Sequence, residues 1–171
     1  MLQKTKNEPI AIEYNGKVVN ARVVTITSTF NHNIDKFFEQ EMIKTNTQHI
    51  VKPFATISFH TENKDAPTWE EGFTYQLIVK IGGILNIWGL HTIHIVKIDK
   101  ENTTIITEEH NSICKVWNHS LTFKKIDETH TEYTDQVVLY AGWLTKYMSK
   151  NLIFSYLMRH KSWNKLLNKL A

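Results

Sequence analysis

A chain of 171 residues, 42% hydrophobic and 22% charged with few prolines and glycines, has the composition of an ordinary globular protein and enough length to bury a sizeable core. Its formal charge of +3 is too small to argue for a nucleic-acid partner, and its most apolar stretch, residues 81–98, is broken by Gly82, Gly83, Gly89, His91 and His94, so no membrane insertion is expected. The single Cys114 excludes an internal disulfide, and the opening MLQKTKNEPI lacks the apolar core of a signal peptide. A cytoplasmic protein of one domain, 1–171 with about 1–8 as a fraying end, is the expectation.

The first predicted strand covers residues 18–27, where apolar and polar residues alternate. Asn33 then stands where a helix N-cap would, and Ile34, Phe37, Phe38 and Met42 recur at helical spacing, predicting a short helix over 34–44. Residues 45–69 are less regular, punctuated by Pro53 and Pro67, with a short strand over 55–60. From Gly72 onward the pattern is strand after strand: 73–81, 91–98, 103–109, 112–125 and 131–140. The short polar loops between them require antiparallel neighbours, since a parallel crossover needs many more residues. After Gly142 the period changes. Leu144, Met148, Leu152, Tyr156, Trp163 and Leu167 recur at threes and fours with no proline between, predicting one long helix over 143–170. The fold class is therefore α+β: a curved antiparallel sheet with one long C-terminal helix as the only element able to cover it, and a gap for a small ligand where the two diverge.

The stretch ICKVWNHSLTF carries the main candidate. Strand geometry puts Trp117, His119, Leu121 and Phe123 on one face. A hairpin turning around Asp127 sets His119 opposite Asp135, Trp117 opposite Val137 and Leu121 opposite Tyr133; a turn one residue different would split His119 and Asp135 onto opposite faces. Such a pair raises the imidazole pKa and fixes its tautomer, which suits either an acid–base catalyst or two buried polar groups satisfying each other. Glu108 and Glu109 adjoin on one strand and so point to opposite sides. Glu109 lies either at the cavity mouth or, as the rarity of buried acids favours, in solvent at a strand end. Arg159 either closes the cavity against a carboxylate or a ligand's polar end, or lies in solvent, again the favoured side.

Other motifs carry less. HTIH places His91 and His94 three apart, on opposite faces of a strand, so they cannot chelate together, and no metal or cofactor is expected. GGILNIWG lacks the spacing and the following helix of a phosphate loop, and no GxSxG elbow is present. Cys114, out of phase with Trp117 and His119, reads as a small packed residue rather than a nucleophile. Trp88, Trp117, Trp143, Tyr147, Tyr156 and Trp163 line a pocket or form core.

WEEG at 69–72, TEEHN at 107–111, KVWNH at 115–119, TEYTDQV at 131–137, AGWLT at 141–145 and YLMRHKSW at 156–163 together resemble the START-like or polyketide cyclase superfamily, whose helix-grip fold includes the Bet v 1-type proteins. The likeness spans residues 18–170. YLMRHKSW is similar to the Tyr-x-His-Arg-Gln-x-x-Trp pattern of one bacterial branch, with Met158 in place of its histidine and His160 in place of its glutamine. The resemblance implies a deep apolar cavity between sheet and helix, holding a lipid, polyketide or aromatic ligand. Its polar end would meet His119 and Asp135, with Glu109 at the mouth, Trp117, Leu121, Phe123 and Tyr133 as apolar wall, and Tyr156 and Arg159 contributed by the helix. A cyclase or dehydratase using His119 and Asp135 as an acid–base pair is the alternative.

Overall fold

A computed structural model describes residues 3–52, 54–60, 66–86 and 89–170. Eight strands form one antiparallel sheet: β1 (Gln3–Tyr14), β2 (Lys17–Phe30), β3 (Ala55–Phe59), β4 (Thr74–Ile81), β5 (Leu90–Asp99), β6 (Thr104–His110), β7 (Val116–Lys125) and β8 (Thr131–Tyr140). Helices α1 (Ile34–Met42) and α2 (Lys44–Val51) connect β2 to β3, and α3 (Thr145–Leu170) closes the chain. The spatial order is β1-β2-β8-β7-β6-β5-β4-β3. Each strand from β3 to β8 lies beside its successor, and the one long connection carries the chain from β2 to the far edge at β3. The fold is the expected α+β helix grip.

Local chemistry explains most boundaries. Asn15 and Gly16 both have positive φ, 51° and 71°, which matches the right-handed twist of the β1–β2 hairpin. Asn33 caps α1: its side chain accepts from the backbone N–H of Asp35 and Lys36 at 3.0 and 3.2 Å. Gly142, with φ 58°, turns the chain into α3, and the Thr145 hydroxyl accepts from Ala141 N–H at 3.0 Å. A bulge between Ile95 and Lys97 shifts the β5–β6 register and helps the sheet curl.

Three expectations change. Residues 3–8 do not fray; they pair one by one with 23–28, the polar β1 serving as a charged sheet edge. Residues 45–51 belong to a second helix, α2, whose only apolar face residues are Ile50 and Val51, too few to show a period. Cys114 precedes β7 instead of lying inside it, although it is fully buried and burial pushes its thiol up to about 12, so it is a packed residue as expected.

Helix α3 spans about 39 Å at the usual rise and buries Met148, Leu152, Tyr156, Arg159, Trp163 and Leu167 along one stripe. It rests on β2, β8 and β1. Under its first half lie Val24, Ile26, Val137 and Leu139. Its second half meets an aromatic cluster of Phe30, Phe37, Phe123, Tyr133 and Trp163, where Phe37 packs edge-on against Trp163 at 5.4 Å and Phe123 at 5.0 Å. Each such ring contributes about 1.5–3 kcal/mol by burial. Over β3 to β6 the helix and sheet diverge, and α2 fills only part of the gap. No helix among the described residues is long and apolar enough to cross a membrane.

Candidate functional site

The gap is a cavity of about 170 Å³. Its apolar wall comes from Leu77, Val79, Ile95 and Ile105 on the sheet and Met148 and Leu152 on α3, with Trp69 and Trp117 adding indoles. Period two delivers these side chains inward from each strand, as it delivers Thr107 and Glu109 from β6 and His119 and Leu121 from β7. At one end the wall turns polar, where Glu41 from α1, His91 from β5, Glu109, His119, Tyr156 and Arg159 come together.

Behind this end sits Asp135, fully buried on β8. Its Oδ1 accepts from His119 Nε2 at 2.7 Å, Tyr133 Oη at 2.9 Å and Arg159 Nη1 at 3.1 Å. Its Oδ2 accepts from His160 Nε2 at 2.8 Å. Because Asp135 is an acceptor, His160 carries its proton on Nε2, and the Ser28 hydroxyl completes the ring at Nδ1, 2.7 Å away. Arg159 extends the network by donating from Nη2 to Glu41 at 2.5 Å. Burial alone would push the Asp135 carboxyl up. The Arg159 guanidinium and the bonds from His119 and His160 outweigh it and hold Asp135 ionised, well below the usual carboxylate range.

A second group flanks the first. Asn111 Oδ1 accepts from the backbone N–H of Ile113 and Cys114 at 3.0 and 2.8 Å, which fixes the amide so that its Nδ2 donates to His91 Nδ1 at 3.1 Å. His91 is thereby set to donate from Nε2 to Glu109 Oε2 at 2.7 Å, and Thr107 donates to Glu109 Oε1 at 2.6 Å. The two groups meet at His119, whose Nδ1 faces Glu109 Oε1 at 3.6 Å and the Tyr156 hydroxyl at 3.4 Å. Burial pushes His119 down, but its bonds and attraction to Asp135 and Glu109 outweigh it and raise its pKa, which favours the protonated ring between the two carboxylates. Burial pushes Glu109 up as well, and its interactions with His119 and His91 reverse this, leaving it below the usual range. Glu41 differs. Its burial is only partly offset by Arg159, and its carboxyl rises to about 7.

The pairing of His119 with Asp135 holds, by a different register. His119 stands opposite Val137, Trp117 opposite Leu139 and Leu121 opposite Asp135, so the strands are offset by two from the expected pairing and His119 reaches Asp135 diagonally. Glu109 and Arg159, both favoured for solvent, are 8% exposed because partners satisfy their charges. Trp117, Leu121, Tyr156, His119, Glu109 and Arg159 line the cavity, whereas Asp135, Tyr133 and Phe123 lie behind it, the last two in the aromatic core. Of the other aromatics, Trp163 is core, Trp143 and Tyr147 are exposed, and Trp88 lies outside the described residues. HTIH divides as expected: His91 turns inward and His94 meets Thr74 Oγ1 at 3.0 Å on the other face. Glu41, Thr107 and Asn111 are site residues the sequence did not single out, and it offered His91 only as half of HTIH and His160 only as a departure within YLMRHKSW. For His91 and Thr107, strand parity with Ile95 and Glu109 was the available signal.

No family model matches the chain, and no curated protein matches it in sequence. Solved structures do. A START superfamily protein from Mycobacterium smegmatis superposes with a TM-score of 0.65 at 10% identity, over 87% of this chain and 99% of its own. Ara h 8.0201 does so with a TM-score of 0.64 at 11% identity, over 87% and 99%. CalU16 from Micromonospora echinospora gives 0.59 at 6% identity, over 99% and 90%. At such identities the likeness is one of fold: the helix grip of START and Bet v 1-like proteins.

Proposed function

We propose that this chain, as one helix-grip domain, holds a small apolar or amphipathic ligand between its sheet and α3. The supporting observation is a cavity that is apolar on most sides and polar at one end, where Arg159, His119 and Glu41 offer hydrogen bonds to a ligand's head. Its free space is similar to the ~150 Å³ apolar cavities that take up a single aromatic ring and smaller than the ~300 Å³ and upward of drug-sized pockets. A one- or two-ring compound fits within it, and a longer chain would extend through the opening beside Asn151. The lone buried Cys114 suits a reducing cytoplasm. Native mass spectrometry of the gently purified protein should show a co-purifying compound, or added naphthols, indoles or fatty acids should raise the melting temperature by several degrees. A chain that stays empty and indifferent to a broad hydrophobic library refutes this reading.

A second reading, a cyclase or dehydratase, is favoured by the 2.7 Å contact between His119 Nε2 and Asp135. The raised pKa of His119 favours its protonated form and so suits a general acid more than a base. His119→Gln would then abolish turnover while ligand affinity survives. Parallel loss of both leaves binding alone.

A further inference from the structure

The solvent face of α3 is built unlike an ordinary exposed helix face. Trp143, just before the helix, is 91% exposed, Tyr147 65% and Phe154 63%. A step of seven residues puts Tyr147 and Phe154 on one side of the helix, and Trp143 stands two residues before its first turn. The same helix carries Lys146, Lys150, Lys161, Lys165 and Lys169, all exposed, and no Asp or Glu follows Asp135 in the sequence. Among the described residues no ion pair joins any of these lysines to an acid. Exposed charges on a stable helix usually alternate in sign. Here only one sign is present, beside large aromatic rings left in water.

The cavity opens on this side. Asn151 is exposed and Ser155 half-buried, yet both line the cavity. Tyr147 lies one turn before Asn151, and Phe154 is Ser155's neighbour, so the aromatic patch borders the opening. Tryptophan and tyrosine beside lysines are the residues that settle at a bilayer's headgroup level, where the rings bury and the ammonium groups meet anionic lipid. A second copy of this chain is a poor occupant, because self-pairing would bring two acid-free lysine rows together.

We propose that the outer face of α3, with Trp143, Tyr147 and Phe154 as insertion points and Lys146 and Lys150 as anionic-headgroup contacts, docks the protein on an anionic lipid bilayer with the cavity opening toward the lipid. The attachment is peripheral. An apolar ligand dissolved in the bilayer then enters beside Asn151 without crossing water. Docking rests on the cavity reading only for what is collected. A chain that binds vesicles but no ligand sinks the cavity reading, and one that takes up ligand but ignores vesicles sinks this one.

Trp143 supplies the assay in a Trp88→Phe background, since Trp69, Trp117 and Trp163 are buried. With vesicles of equimolar phosphatidylcholine and phosphatidylglycerol at low salt, emission should shift to the blue and the protein should co-sediment. Vesicles of phosphatidylcholine alone should bind at least tenfold more weakly. Tyr147→Ser with Phe154→Ser, which keeps the reporter, should weaken binding at least tenfold, and Lys146→Gln with Lys150→Gln about tenfold or more. All four side chains are exposed, so circular dichroism and melting temperature should match wild type. Three results overturn the proposal: no spectral shift with the anionic vesicles, equal affinity for the Tyr147/Phe154 variant, or a dimer in buffer whose Trp143 emission is already blue-shifted.

Discussion

Replacing Glu41 by glutamine should change how stability depends on pH. The Glu41 carboxyl is 3% exposed, and its pKa rises from an ordinary 4.5 to about 7, first through burial and against the pull of Arg159. Between pH 4.5 and 7 the folded protein keeps this proton while the unfolded chain has lost it. Stability from this group is therefore full below 4.5 and falls as pH rises, levelling off above about 7. At about 1.4 kcal/mol per tenfold difference in proton affinity, the loss is about 3 kcal/mol. Glutamine keeps an oxygen for the Arg159 guanidinium and has no charge to bury. Glu41→Gln should therefore match wild type near pH 5 and exceed it by up to about 3 kcal/mol near pH 7.5, roughly 6–12 °C in melting temperature for a chain of this length. Urea unfolding followed by tryptophan fluorescence at half-unit steps reads the difference directly. His119, whose raised pKa also removes stability as pH climbs above 6.5, interacts with the Glu41 charge, so the comparison is repeated in a His119→Gln background to isolate the contribution of Glu41. A variant with the same slope as wild type from pH 5 to 7 refutes the account.

Arg159→Ala leaves Asp135 and Glu41 buried without their shared cation and should cost about 3–5 kcal/mol, read by the same unfolding assay; adding Asp135→Asn should restore part of the loss, and a single variant as stable as wild type would argue against a working buried network. Asn33→Ala removes the acceptor for the Asp35 and Lys36 amides and should cost about 1 kcal/mol, with rapid hydrogen exchange confined to α1.

The elements that carry the site were legible where local periodicity is strong. Strand β8 falls on the expected residues, and β7 presents Trp117, His119, Leu121 and Phe123 to one face, because alternation is a property of the strand alone. The long helix announced itself by an apolar stripe at threes and fours. Strand β1 and helix α2 did not, for a shared reason: β1 is an edge with polar residues on both sides, and α2 rests on few apolar contacts. Burial of Arg159 and Glu109 was equally illegible. A charge enters a core only with partners, and Glu41, Asp135 and His91 come from elements distant in the chain.

His119 and Asp135 show where sequence ends and tertiary structure begins. The place of each within its own strand followed from counting by twos. Their register did not, since it depends on how many residues the turn consumes: Ile126 N–H bonds to His130 C=O at 3.0 Å and Asp127 caps Thr129 and His130, fixing a turn two residues out of step with the expected one. A shift of two preserves the face, so the pair survives as a diagonal contact. Sequence alone put His119 in phase with Trp117 and Leu121 and Asp135 in phase with Tyr133 and Val137; that the two share the concave side depended on the turn between them. Only the packed structure decided that His119 would sit between two carboxylates that raise its pKa, with Arg159 drawn in behind it and Glu41 left as the carboxyl that titrates near neutrality, because charge state is set by partners and burial that no local pattern encodes.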